Sequence, residues 1–142
     1  MDIRRLRTAE EWNAAGADFL PGYLGITFLK VEATEVVAKV AVRKALIAPN
    51  TYLHAGSVVT LADTCCGYGT VMGLPEGAAG FTTIELKSNF FGSAREGVIV
   101  CVAQPLHQGR STQVWDAAVT PEGADKPIAR FRCTQMLLWP KP

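Results

Sequence analysis

The stretch Leu53-His54-Ala55-Gly56-Ser57-Val58-Val59-Thr60-Leu61-Ala62-Asp63-Thr64-Cys65-Cys66-Gly67-Tyr68-Gly69-Thr70-Val71-Met72 decides how this chain folds. It reads as one helix over about Gly56 to Met72, closed by Pro75-Glu76-Gly77. Val58, Val59, Leu61, Ala62, Cys65, Cys66, Tyr68 and Val71 make it apolar nearly all round, and such a helix is enclosed on most of its sides. Gly56, Gly67, Gly69 and Gly73 lower helix propensity, which predicts close approach to a sheet or to another helix. Asp63 is the only formally charged side chain between Lys44 and Glu76, the titratable His54 aside. Burying a carboxylate is expensive unless it has partners or a task. The histidine that opens the helix and the acid on its third turn are therefore the first candidates for chemistry.

Outward from the helix, the pattern changes period. Thr8 is placed to cap a short helix over Ala9 to Asp18, with Glu11 completing a capping box and Pro21-Gly22 ending the segment. Leu24 to Glu32 reads as a strand. Thr34 to Arg43 alternates, with Val36, Ala38, Val40 and Val42 on one face, as a half-buried strand does. Ala48-Pro49-Asn50 is a loop. After the helix come four strand-like segments, Phe81 to Phe91, Val98 to Leu106, Thr112 to Thr120 and Ile128 to Trp139, separated by turns at Gly92-Ser93, Gly109 and Pro121-Glu122-Gly123. The whole chain, 1–142, reads as one α+β domain, an antiparallel sheet wrapped around one long central helix.

Composition bounds the function. A net charge of +1 leaves no electrostatic footprint for nucleic acid. No apolar run is long enough to span a membrane. The charged start, Met1 to Arg7, lacks the apolar core of a signal peptide, which points to the cytoplasm. Cys65, Cys66, Cys101 and Cys133 contain no CxxC pair, and with two histidines the chain offers no structural zinc site, so the thiols read as reduced core residues and no metal is expected. At 49% hydrophobic residues the chain is apolar for its size, so part of that surface is expected between subunits.

The run Leu53-His54-Ala55-Gly56 through Leu61-Ala62-Asp63 resembles the histidine–glycine–glycine helix start and following acid of the hotdog-fold, PaaI-like acyl-CoA thioesterases. That group includes the dihydroxynaphthoyl-CoA and 4-hydroxybenzoyl-CoA thioesterases. Glu85-Leu86-Lys87-Ser88-Asn89, Ser93-Ala94-Arg95-Glu96-Gly97, Pro105-Leu106-His107-Gln108-Gly109-Arg110 and Gln113-Val114-Trp115 extend the likeness over roughly residues 20 to 139. The resemblance implies hydrolysis of a thioester to an acid and coenzyme A, with no cofactor beyond the coenzyme A of the substrate. Asp63 takes the place of the nucleophile or general base. His54, Ala55 and Gly56 take the place of the helix start whose N–H polarises the carbonyl. It further implies contacts to the coenzyme A moiety or acyl group at Thr64, Gly67, Thr82, Asn89, Phe90, Phe91, Gly92, Leu106, His107, Gln108, Gly109, Arg110 and Ser111. Three positions depart from the pattern. Ala55 stands where glycine is usual. Ala48 stands for a glutamine or asparagine, a role Asn50 is placed to assume. Gly67 stands for a serine or threonine.

Elementary chemistry supports those roles. A helix N-terminus gathers unpaired N–H groups and positive partial charge, and aimed at a carbonyl oxygen it acts as an oxyanion hole. A partly desolvated carboxylate gains basicity. Arg110 offers a guanidinium on a turn for a phosphate. Lys87 and Arg95 read as further helpers or as solvated strand-end charges, and Trp115, Phe90 and Phe91 as core or interface rather than acyl-pocket lining. Gly67 and Gly69 are expected to leave room for a ring, which favours an aromatic or bulky acyl group. Nine helical residues rise roughly 13 Å and turn about 900°, a net half turn, so Asp63 points away from its own His54. Two antiparallel helices solve that problem, and the expectation is a homodimer with two composite sites, pairing further into a tetramer. A hotdog (de)hydratase acting on a hydroxyacyl thioester and a non-catalytic acyl-CoA-binding module are the competing readings.

Overall fold

The computed structural model describes residues 1–141. Helix α1 spans Ala9–Gly16, with Thr8 accepting from the Glu11 N–H and the Glu11 side chain accepting from the Thr8 backbone, the expected capping box. The helix stops two residues before Asp18. Pro21-Gly22 does not end the segment; it lies inside a second short helix, α2 (Leu20–Leu24), because proline is tolerated in a first turn where its missing N–H has no partner to lose. Gly25, at φ 76°, closes α2 in the left-handed conformation. Strand β1 therefore begins later than expected, at Thr27, and runs to Val31.

Strand β2 (Val36–Ala41) buries Val36, Ala38 and Val40, as its alternation predicts. A short 3-10 turn, Lys44–Leu46, lies between β2 and the Ala48-Pro49-Asn50 loop. The central helix α3 (Ala55–Met72) is followed by β3 (Gly80–Phe90), β4 (Val98–Gln108), β5 (Thr112–Pro121) and β6 (Ala129–Leu138). All six strands pair antiparallel in the order β1-β2-β4-β5-β6-β3. The α+β arrangement expected from the sequence, one sheet around one long helix, is present.

The core lies between α3 and the inner face of the sheet. Leu61, Ala62, Cys65 and Cys66 of the helix meet Ile99, Cys101, Trp115, Val119, Phe131 and Cys133 of the strands. Trp12 of α1 and Phe28 of β1 close the far side by stacking on Tyr68, with ring centroids 4.2 and 4.6 Å away. All four cysteines are buried and unpaired.

Two of the helical glycines show why they are glycines. A Cβ on Gly69 would stand 2.3 Å from the Trp115 ring, and one on Gly67 would stand 3.3 Å from Phe81. The expectation that these positions leave space for a substrate ring is corrected: aromatic side chains of the same chain already fill it. Trp115 is fully buried, in keeping with a core role, whereas Phe90 and Phe91 are 45% and 64% exposed and belong to no core of the single chain.

The free edge of the sheet at β3 is unlike the rest. It pairs with β6 on one side only. Its register sets Leu86 opposite Cys133 and Phe90 opposite Ala129, so both point to the inner face, yet both are 45% exposed. The helix covers the inner face up to Phe81 and leaves the rest of β3 bare.

Candidate active site

The loop before α3 fixes its first turn. Ile47 bridges to Leu53, the His54 N–H donates to the Leu46 carbonyl at 3.0 Å, and the Ser57 hydroxyl donates to the same oxygen at 3.0 Å. The Ala48 N–H donates to the Tyr52 carbonyl and the Thr51 N–H to the Ala48 carbonyl, each at 2.8 Å. Asn50 Oδ1 accepts from the Tyr52 N–H at 3.2 Å, so its side chain is used in shaping this turn. Thr51, at φ 72°, is the only non-glycine residue in the left-handed region among those described, a strained position for a β-branched side chain.

His54 is the N-cap of α3. Its Nδ1 accepts from the Gly56 N–H at 2.8 Å, which leaves Nε2 as the donor of the neutral ring, facing out from an exposed side chain. A Cβ on Gly56 would stand 3.0 Å from that Nδ1, so glycine here keeps the cap comfortable. The Ser57 N–H bonds back to the His54 carbonyl, and the Ala55 N–H has no partner among the described residues. Ala55 has helical backbone and needs no positive φ, so the departure from glycine leaves its N–H available without strain. The free donor at the positive end of an 18-residue helix is the Ala55 amide.

Asp63 stands two and a half turns on. Its Oδ1 is buried without a hydrogen-bond partner. The nearest hydroxyls on its own helix are spent: Thr60 donates to the Gly56 carbonyl at 2.8 Å and Thr64 to the Thr60 carbonyl at 2.6 Å. Burial raises the Asp63 carboxyl above the usual aspartate value, with no cation or donor opposing it. Asp63 shares a helix flank with Gly67 one turn later, and Gly67 abuts Phe81. That flank therefore looks towards the bare inner face of β3, where Leu86 and Phe90 lie open.

The remaining expected site residues separate into two groups. Asn89, Phe90, Phe91 and Gly92 sit at the end of β3, where Phe91 N–H donates to the Ile128 carbonyl at 2.7 Å. From there Ser93 reaches the Leu53 N–H at 3.2 Å, beside His54. Leu106, His107, Gln108, Gly109, Arg110 and Ser111 form the β4–β5 hairpin at the opposite end of the helix. There the Gln108 side chain would stand 2.4 Å from a Cβ on Gly73. Arg110 lies over the Trp139 ring, 4.7 Å from its centroid, and the Trp139 indole N–H donates to the Arg110 carbonyl at 3.1 Å. Thr82, opposite Met136, is exposed near the start of β3. Within one chain the helix keeps these two groups roughly 27 Å apart.

Sequence reasoning had no signal for the buried pair Gln113 and Gln135, which face each other on β5 and β6. Gln113 donates to the Gly73 carbonyl at 3.0 Å and accepts from the Trp115 indole at 2.8 Å, tying the helix C-terminus to the sheet. Among the described residues no group of histidine, cysteine or acid side chains is arranged to hold a metal ion, and no helix is long and apolar enough to cross a membrane.

Comparison with known proteins gives the family and the fold. A family model described as Thioesterase superfamily matches residues 50–128, a span that includes the helix start and Asp63. A 1,4-dihydroxy-2-naphthoyl-CoA hydrolase of Listeria monocytogenes is 31% identical over 111 residues, covering 78% of this chain and 89% of that protein. The Escherichia coli protein of the same name is 33% identical over 121 residues, covering 84% and 87%. A mutant thioesterase from Pseudomonas aeruginosa superposes with a TM-score of 0.87 at 26% identity, over 95% of this chain and 96% of that one. The six-stranded sheet and long helix are the hotdog fold of those neighbours.

Proposed function

This chain belongs to the thioesterase superfamily, and from that premise we propose that it hydrolyses an acyl-coenzyme A thioester at a site shared by two copies. The observation that carries the reading is Asp63: a half-buried carboxylate with an unpartnered oxygen, on the helix flank that faces uncovered sheet.

In this reading the Ala55 N–H of one chain, with His54 Nε2–H beside it, holds the thioester oxygen as charge develops there. Asp63 of the other chain attacks the carbonyl carbon, or takes a proton from the water that does. The new C–O bond forms as the carbonyl π pair moves to oxygen. When that pair returns, the C–S bond breaks and the departing thiolate takes up a proton supplied by the water; where Asp63 itself has attacked, water then cleaves the acyl–Asp63 anhydride, which frees the acid and restores the carboxylate. Asp63 must be ionised in either role.

The pairing is argued from distance and cover. Asp63 is a net half turn and roughly 13 Å from its own helix start. A second copy laid antiparallel along β3 would bring the two ends of two helices together. It would also cover Ile84, Leu86 and Phe90, exposed by 55%, 45% and 45%. It would satisfy the open edge of β3 by strand pairing, and it would carry the Arg110 hairpin of one chain towards the His54 end of the other. We place the coenzyme A contacts at Asn89 to Gly92 and at that hairpin. Both 1,4-dihydroxy-2-naphthoyl-CoA relatives make an aromatic acyl group the first to try.

The test is a thiol-release assay on aromatic and medium-chain acyl-CoAs, with sedimentation on the same sample. Thiol release that vanishes in Asp63→Ala, from a dimer or larger species, is expected. A stable, fully active monomer would overturn the composite site. Change at a carbon–carbon double bond without thiol release would assign a (de)hydratase, and binding without turnover a carrier.

A further inference from the structure

Resting on the thioesterase reading and deepening it, we infer that a cleft on the outer face of the sheet, formed by Lys87, Asn89 and Arg130, binds the terminal phosphate monoester of the coenzyme A moiety. The cleft opens between β3, β6 and β5, with Arg132 and Asp116 on its wall.

Its charges are arranged in a way that folding alone does not favour. Lys87 lies directly opposite Arg132, and Asn89 directly opposite Arg130. Like charges facing across a strand pair are destabilising. Arg132 is relieved by Asp116, which takes its Nε and Nη2 in a fork at 2.5 and 2.7 Å. That leaves Asp116 spent. Glu85, the other acid on this face, lies near Thr134 and Arg132. Lys87 and Arg130 have no carboxylate within ion-pair distance among the described residues. Two unpaired cations flanking a neutral amide, in a concavity, suit a compact dianion: the ammonium supplies a point charge, the guanidinium a fork, and the amide a further donor.

The place of the cleft selects the occupant. Asn89 is four residues from Ser93, at most about 14 Å of extended chain. The Ser93 hydroxyl oxygen accepts from the Leu53 N–H at 3.2 Å, next to His54 and Ala55. One short segment therefore joins the cleft to the amide that would hold the thioester oxygen. Coenzyme A carries its phosphates at the far end of a long uncharged arm, so its anionic end belongs away from the reacting carbonyl, outside the dimer seam and in contact with solvent. The outer face beside β3, which carries Lys87 and Asn89, meets each of those requirements.

The experiment compares one acyl group carried on coenzyme A, on dephospho-coenzyme A and on pantetheine, in the native protein and in Lys87→Ala/Arg130→Ala. Both side chains are exposed, so the fold is expected to survive. The native protein should lose about tenfold or more in kcat/KM when the terminal phosphate is removed, mostly through KM. The double variant should lose a similar factor on the acyl-CoA and nothing on the dephospho substrate. A native enzyme indifferent to the phosphate, or a variant that weakens both substrates equally, overturns the assignment. Inorganic phosphate should compete with acyl-CoA and leave acyl-pantetheine turnover untouched. Phosphate binding at Lys87 and Arg130 without any preference for coenzyme A over dephospho-coenzyme A assigns the cleft to free phosphate and overturns the proposal. Should no thioester release thiol, the thioesterase reading falls, and calorimetric titration with coenzyme A and dephospho-coenzyme A decides the cleft by itself.

Discussion

The two flanks of α3 are built from the same eighteen residues to opposite ends. One flank, Leu61, Cys65 and Gly69, is sealed against Trp115, Cys101 and Phe131, with side chains at or near zero exposure. The other, Gly56, Thr60 and Asp63, faces out beside Phe81 to sheet that no other described residue covers. On the sealed flank every gap left by a small residue is filled by a ring from the same chain. On the open flank a carboxylate oxygen is left buried without a partner. The difference teaches that a single chain seals one flank of its helix and leaves an unpartnered acid on the other.

The comparison breaks first at Asp63. Asp63→Asn keeps the shape and removes the basic oxygen, and is expected to lower kcat by about 10²- to 10⁴-fold. Survival of turnover within about tenfold would put the chemistry elsewhere. The same substitution should act oppositely on stability. The folded pKa of Asp63 lies above its unfolded value, so its contribution is fully present below the unfolded pKa and is lost as pH rises through the folded one. At pH 7 the variant should therefore melt higher than the native protein, and the gap should close in acid. A lower melting point at pH 7 would mean that a second chain pairs the carboxylate.

Leu86→Asp tests the open flank from the sheet side. A charge on the bare inner face of β3 should leave a folded monomer with thiol release reduced by about a hundredfold or more, read by sedimentation and circular dichroism. Full activity in that monomer would end the two-chain site. Gly69→Ala tests the sealed flank. A methyl group 2.3 Å from the Trp115 ring forces repacking and should cost about 1–3 kcal/mol in urea unfolding. No loss would mean that the flank is looser than its burial implies. The smallest effect is expected at Ala55→Gly, within about twofold in kcat/KM, because Ala55 already sits in helical backbone. A gain of tenfold would show that the site needs a backbone turn that alanine resists.

The sealed flank was legible in the sequence because period and composition act locally. The alternation in β2, the turns of the last four strands, the Thr8 box and the helix over Gly56 to Met72 all rest on neighbours within a few residues. The misreadings have local competitors. Pro21 ends one helix in pattern and begins another in fact. The glycines at 67 and 69 speak of close approach, while the rings that approach come from positions 81 and 115. The open flank was legible only in part. His54 and Asp63 stand out as residues, but the uncovered face of β3 follows from how far the helix reaches across the sheet. The facing cations are set by a register that joins Lys87 to Arg132 across forty-five positions of chain, a pairing no periodicity encodes.

Cys65, Cys66, Cys101 and Cys133 lie entirely within the sealed core, and burial pushes the thiols of Cys65 and Cys66 up, away from the reactive thiolate. A chromogenic disulfide reagent added to follow liberated coenzyme A should therefore see product alone while the protein stays folded. Once the core opens, the same reagent gains four protein sulfurs per chain. One absorbance trace can thus report turnover at low temperature and structural integrity on heating, with the chain serving as its own internal standard.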